Sequence, residues 1–384
     1  MREPSALSAM AQMIYQWIMS GSSGWRLTTL MFVTSLCLML FFGGPMIAWL
    51  RQKRWRKDAE TWTVREDTPD THLVKQGTPS MGGIGLIGSA LATYFAVASS
   101  LVVISYLSGL GRGHIPAVIL FMLSLLPLTV GAHALLGFAD DWSKATGRGG
   151  LRARAKFLAQ LILAAGFLAA CVCLLKPYYG EMGLISYSPE VTLSPLLFGV
   201  LLIIVVATCN AVNLTDGIDG LAAGLAIQSG LALSACEISY AGAGTFGTLG
   251  GALFCVSLAG ACLGFLVYNK HPARVFMGDT GSLALGAGLG AGAILTREVF
   301  LLPFIGFIFY VEMFSVILQV AYFKWTKRRT GEGKRIFRRA PLHHHFELGG
   351  WSEWRVVATF WAINLMTTAL GLFLWHQGVL PRWP

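Results

Sequence analysis

Five short polar runs interrupt an otherwise apolar chain, and each carries groups able to handle phosphate or a hard cation. Gly137-Phe-Ala-Asp-Asp-Trp-Ser-Lys144 holds two adjacent carboxylates, Asp140 and Asp141. Asn210-Ala-Val-Asn-Leu-Thr-Asp-Gly-Ile-Asp-Gly-Leu221 sets Asn210, Asn213, Asp216 and Asp219 three residues apart, a spacing that places side chains on one helical face. Phe276-Met-Gly-Asp-Thr-Gly-Ser282 contains Asp279, and Pro341-Leu-His-His-His-Phe-Glu347 contains His343, His344 and His345. Lys75-Gln-Gly-Thr-Pro-Ser-Met-Gly-Gly83 combines a lysine, two hydroxyls and three glycines directly ahead of an apolar run, where the free N–H groups of a helix start bind phosphate. The aspartates come without zinc-type ligands, which suits a hard ion. Mg²⁺ is usually held by one or two carboxylates plus substrate phosphates, so the pattern implies a phosphorylated substrate.

Plainer roles compete with these. Asp279 could simply cap a helix, the 210–219 stripe could be polar glue between helices, and the 75–83 segment could be a turn. Asp140 and Asp141 are expected to close a helix, the end at which the macrodipole disfavours anions, so a cation is needed beside them. Neighbours on a helix point about 100° apart; one of the pair can face a site while the other flanks it. Three consecutive histidines cannot all reach one ion in a regular element. With Arg335, Arg338 and Arg339 just before them, contact with an anion is the better functional reading, and a purely topological basic loop is the alternative.

The elements that must position these groups are membrane helices. Of 384 residues, 55% are hydrophobic and 12% charged, about half the charge of an ordinary soluble domain. About 20 helical residues cross the hydrocarbon layer, and apolar segments of that kind lie near 27–50, 82–109, 115–139, 157–176, 194–213, 220–238, 247–268, 281–297, 299–323 and 356–376. The chain therefore reads as an all-α polytopic protein of about ten spans. One transmembrane catalytic domain is expected over 1–384, with an interfacial segment at 1–24 and a long basic, histidine-bearing loop at 324–355. The least defined boundary separates the eighth and ninth spans, where only Arg297 and Glu298 intervene. Seven cysteines, all in apolar stretches, argue against disulfides and zinc ribbons.

The charge pattern sets the orientation. Of 29 lysines and arginines, 23 fall in the odd-numbered connections, which the positive-inside rule assigns to the cytoplasm, leaving both termini outside. The formal charge of +10 is thus a topology signal, and no nucleic-acid partner is expected. The glycines of 283–293 read as close helix packing rather than a nucleotide loop. All the acidic and histidine clusters fall on the basic side.

Taken in order and spacing, these segments resemble the phospho-N-acetylmuramoyl-pentapeptide-transferases, within the wider polyprenyl-phosphate N-acetylhexosamine-1-phosphate transferase superfamily. The Asp pair and the Asp-Gly-Ile-Asp-Gly element point to the superfamily; the triple histidine and Gly-Thr-Pro-Ser-Met-Gly-Gly point to the muramoyl branch. Ser80 departs from the threonine more usual there but keeps the hydroxyl. The resemblance implies a multi-pass enzyme of the bacterial inner membrane with a cytoplasm-facing cleft. It would move phospho-MurNAc-pentapeptide from the UDP-linked sugar to undecaprenyl phosphate, yielding lipid I and UMP. It also implies Mg²⁺ on Asp279, with Asp140, Asp141 and His343 catalytic, and a substrate pocket drawing on Lys75, Ser80, Asn213, Asp216, Asp219, Asn269, Phe276, Gly278, His344 and His345. Two other functions stay open: transfer of GlcNAc-1-phosphate, or an ion-coupled transporter. Monomer and homodimer are left open too. A direct attack by the lipid phosphate, with Asp140 as base or organiser, is favoured over a phospho-enzyme.

Overall fold

The computed structural model describes residue 13 and residues 23–52, 77–107, 117–175, 194–239 and 246–381. Lys75 and nearly all of the 1–24 segment lie outside them. The described residues are helical throughout, with no strand. In chain order the elements are α1 (Ser23–Gln52), α2 (Gly83–Leu107), α3 (Ala117–Ala145), α4 (Ala153–Leu175), α5 (Pro195–Thr215), α6 (Leu221–Ser239), α7 (Phe246–Asn269), α8 (Gly278–Leu295), α9 (Leu302–Ile305), α10 (Phe307–Thr330), α11 (Leu342–Glu347) and α12 (Glu353–His376). Ten of these are long and match the ten apolar segments. Eight of them are long and apolar enough to cross a membrane, so this is a polytopic membrane protein.

Each helix satisfies its own backbone, as a hydrocarbon environment demands, so packing rather than amphipathicity orders the bundle. α7 and α8 form the centre. α8 packs on α2, α3, α5 and α7, while α7 also meets α1 and α6; every residue of α8 from Thr280 to Ile294 is buried. Its glycines explain the close approach: Gly286 and Gly290 lie against the Val205–Cys209 backbone and side chains of α5, and Gly288 and Gly292 against Leu258 and Cys255 of α7. The packing reading of the 283–293 glycines holds. In contrast, α1, α5, α10 and α12 carry large exposed apolar side chains, among them Phe41, Ile203, Phe314 and Phe373, which suits lipid contact.

Interhelical hydrogen bonds add to the small-residue contacts. The buried Ser35 hydroxyl of α1 donates to Ser257 O of α7 at 2.7 Å. Such bonds contribute about 0.6 kcal/mol on average within a membrane. Ser35→Ala should therefore lower the melting temperature in detergent only slightly and leave turnover unchanged; a large loss of either would show that the bond carries more than packing.

Three helix ends differ from the expected ones. The segment expected at 299–323 is broken: Pro303 sits at the start of the short α9, Gly306 ends it, and α10 then begins at Phe307. A proline favours the first turn of a new helix over continuation. α10 also runs on to Thr330, where Gly331 takes the left-handed conformation (φ 82°) and donates to Lys327 O, a glycine stop. Finally α3 continues to Ala145, so Asp140 and Asp141 lie inside its last turns rather than closing it.

Candidate active site

Five connections meet at one end of the bundle: those leading into α2, joining α3 to α4, α5 to α6, α7 to α8, and α10 to α12. Backbone pairing draws the first and fourth together. Phe276 N–H donates to Pro79 O at 2.9 Å, Gly82 N–H to Phe276 O at 2.8 Å, and Gly83 N–H to Met277 O at 2.9 Å. Gly278, at φ 74°, is the hinge of this contact; a Cβ there would lie 2.6 Å from Asp141 Oδ2 and 2.9 Å from Ser80 Oγ. Ser80 is exposed and Phe276 half-buried beside it.

The three aspartates divide their work. Asp141 Oδ1 accepts from Asp279 N–H at 3.1 Å, and its Oδ2 accepts from Thr280 N–H at 2.9 Å and the Thr280 hydroxyl at 2.7 Å. It caps α8 from a neighbouring helix, since the local N-cap position, Met277, offers no side-chain acceptor. Burial, followed by repulsion from Asp279, pushes the Asp141 carboxyl above its ordinary range despite these bonds. Asp140 and Asp279 turn instead toward two lysines. Lys144 Nζ lies 2.9 Å from Asp140 Oδ2 and 2.7 Å from Asp279 Oδ2; Lys156 Nζ lies 3.2 Å and 2.5 Å from the same atoms. The remaining Asp140 oxygen accepts from Leu151 N–H at 2.6 Å.

Burial alone would raise the Asp279 carboxyl, but its bond with Asp140 and the ammoniums of Lys156 and Lys144 outweigh that and hold it well below the ordinary range. Burial would lower Lys144, but Asp279 and then Asp140 outweigh it and raise its ammonium. These lysines are the cations that paired acids near a helix end need. Lys156 is the more enclosed, at 16% side-chain exposure against 49% for Lys144. Lys144 is thus the accessible partner of the two carboxylates and Lys156 the enclosed one.

The 210–219 stripe splits by depth. Asn210 turns to α4, donating to Gln160 Oε1 at 2.6 Å, and is interhelical glue. Asn213 reaches the centre, donating to Asp279 Oδ1 at 2.7 Å and Ser282 Oγ at 2.8 Å. Asp216 ends α5; burial, with Asp279 and Asp141 nearby, pushes its carboxyl up to about 8. Asp219 is buried and accepts from Ala273 N–H at 3.0 Å, with His271 Nδ1 3.1 Å away. His271 Nδ1 is also 3.1 Å from Glu353 Oε2, and ligand atoms of Asp219, His271 and Glu353 all lie within 4.8 Å of one another. Asn269 fastens this region, accepting from Gly220 N–H at 3.0 Å and donating to Val275 O at 2.9 Å. Asp219 and Asn269 thus shape the loop walls.

The histidines take different partners, although the His343 and His344 rings lie 4.1 Å apart between centroids. His343 is fully buried and faces Glu312 of α10, with Nδ1 3.3 Å from Oε1. His344 Nδ1 meets Glu347 Oε2 at 2.8 Å; burial, outweighing that bond, pushes its imidazole down to about 4, so it is neutral near pH 7. His345 Nδ1 accepts from Arg338 N–H at 3.0 Å, which fixes the proton on Nε2. Each of the three rings faces a partner of its own.

Lys156, Thr280, Ser282, His271, Glu353 and Glu312 escape a reading of the sequence. Lys156 reads there as one topology charge among many, Thr280 and Ser282 read only as the flank of Asp279, and His271, Glu353 and Glu312 sit alone in apolar or loop segments. A hard oxygen donor set is nonetheless present: Asp140 Oδ2 and Asp279 Oδ2 converge on one cationic position, while both Asp141 oxygens are taken by α8. That set fits Mg²⁺ with substrate phosphates supplying the remaining ligands.

Comparison with known proteins gives the chain its relatives. Residues 120–297 match the model of glycosyl transferase family 4. The chain is 42% identical over 320 residues to the phospho-N-acetylmuramoyl-pentapeptide-transferase of Geobacillus kaustophilus, covering 81% of this chain and 88% of that one. With the protein of the same name from Moorella thermoacetica it shares 42% over 353 residues, 89% and 96% of the two chains, and with that from Synechococcus sp. CC9605 42% over 320 residues, 81% and 83%. At that identity over more than four-fifths of its length, the chain belongs to the phospho-N-acetylmuramoyl-pentapeptide-transferase family.

Proposed function

We propose that this protein transfers phospho-MurNAc-pentapeptide from UDP-MurNAc-pentapeptide to undecaprenyl phosphate, forming lipid I and releasing UMP, at the cytoplasmic face of a bacterial inner membrane. The observation that carries this reading is the pairing of Asp140 and Asp279 with Lys144 and Lys156 at the start of α8. Joining two phosphate groups requires closely spaced anions to be neutralised without water. Here two ammoniums stand ready, and the exposed one is free to yield.

Attack by a lipid-phosphate oxygen on the sugar-linked phosphorus forms the new P–O bond as the bond to UMP breaks. Lys156 would hold the transferring phosphate, and Asp140, paired with both lysines, would organise the attacking one. The Asp140 side chain is only 3% exposed and is already bonded through both oxygens, which supports an organiser over a nucleophile. Asp279 and Asp140 would hold Mg²⁺, which when bound supplies further neutralisation of the diphosphate. Asp216, Asp219, Asn269 and Phe276 would line the nucleotide side, Ser80 would approach the phosphates from the segment before α2, and Lys75 is assigned to the same pocket by its motif. Outward termini follow from the same orientation, since the site shares the basic face.

Purified protein should release UMP when given UDP-MurNAc-pentapeptide, undecaprenyl phosphate and Mg²⁺. Release with UDP-GlcNAc in its place would move the assignment to the GlcNAc-1-phosphate branch. Release without lipid phosphate, together with a phosphate-labelled enzyme, would replace direct attack by a phospho-enzyme route.

A further inference from the structure

His343, which the family resemblance makes catalytic, forms a buried pair with Glu312, a residue to which no role has been given. Both side chains are 0% exposed. Glu312 lies on α10, a helix otherwise lined with lipid-facing apolar residues, where a carboxylate is costly without a reason. Its Oε1 accepts the His343 backbone N–H at 3.0 Å and lies 3.3 Å from Nδ1. Glu312 Oε2 and both ring nitrogens of His343 are buried with no hydrogen-bond partner, and a buried polar atom left in that state calls for an explanation. On its far side the imidazole presses on the turn after α5: a Cβ on Gly217 would collide with His343 Nε2.

Glu312 is also the first of three fastenings. Gln319, seven residues on, accepts from Ile336 N–H and Phe337 N–H at 3.0 Å each and donates to Phe337 O at 3.0 Å. Thr326, seven further, accepts from Lys334 N–H at 2.8 Å. A spacing of seven is about two helical turns, so one stripe of α10 straps the 334–343 segment along its length. At two of the three points the helix side chain meets only backbone; at Glu312 it also faces a ring nitrogen.

We infer that Glu312 is a positioning residue for His343, holding the proton on Nδ1 so that Nε2 is presented as an acceptor toward the Asp216–Gly220 turn. A carboxylate beside one imidazole nitrogen sets which nitrogen keeps the proton and how the ring is aimed. A neutral side chain of the same shape keeps the backbone bond and loses this control. The groups facing His343 are Glu312 from α10 and His344 from its own helix, and the turn after α5 meets it at Gly217.

The inference rests on the proposed transferase reading, and the test separates the two. Glu312→Gln, His343→Gln and the double variant are compared in the UMP-release assay for kcat and KM, alongside melting in detergent. His343→Gln is expected to lose most turnover. Glu312→Gln should retain near-native melting, lower kcat by about 10- to 100-fold, the usual effect of losing such a partner, and leave the double variant no worse than His343→Gln alone. Glu312→Asp, which keeps the charge, should recover part of the loss. Multiplicative losses in the double variant, or normal kcat in Glu312→Gln while His343→Gln is inactive, overturn the role of Glu312. Normal turnover in His343→Gln overturns the place of the histidine in the site, and the inference with it.

Discussion

Asp279→Asn is expected to cut UMP release by on the order of 10²–10³-fold, the loss typical of removing one preorganised charge-stabilising group, while the folded protein stays extractable with little change in melting temperature. The carboxylate serves two sets of donors: Oδ2 receives Lys144 and Lys156, and Oδ1 receives Asn213. An amide cannot serve both, because its NH₂ must face either the ammoniums or the Asn213 amide. It also loses the negative charge on which a hard cation depends. Stability has opposing contributions. The ion pairs to two partly accessible lysines vanish, but so does the repulsion that Asp279 exerts on Asp141 and Asp216. Near-normal turnover in this variant would remove Asp279 from the metal and phosphate chemistry.

Much of the architecture is written in composition, because hydrocarbon leaves the chain few choices. An apolar run of about 20 residues with its backbone satisfied internally must be a helix, so all ten long helices stand where the apolar runs are. What fails is the local detail. Pro303 and Gly306 break the ninth segment, a break hidden by apolar neighbours, and α3 carries its acids inside its last turns instead of at its end. At the site, residues with unusual types in tight motifs are legible, while those acting across space are not. Asp140, Asp141, Asn213 and Asp279 do gather at one point. Lys156, by contrast, is one of many basic residues in the connections, and only the fold shows that it points between two carboxylates. Asn210 has the spacing of a site residue but turns to Gln160, since a period of three drifts around a 3.6-residue helix and carries the first member of the stripe off the shared face.

Asp140 and Asp141 are adjacent and chemically identical, yet the geometry separates them, and Asp141→Asn exposes the difference. Asp141 gathers three donors from the first turn of α8: two backbone N–H groups and the Thr280 hydroxyl. Those N–H groups have no partner inside their own helix, and Thr280 is buried. An asparagine presents one oxygen and one NH₂, so at least one backbone donor meets another donor. Leaving one such buried group unsatisfied costs about 1–3 kcal/mol. Asp141→Asn should therefore lower both melting temperature and turnover, with faster amide exchange at Asp279 and Thr280, because a loosened α8 start no longer holds Asp279 against Lys156. In Asp279→Asn those amides should stay protected, since Asp141 still caps them. If Asp141→Asn keeps native melting and native exchange at both amides while losing activity, Asp141 acts on substrate directly and its capping of α8 is incidental.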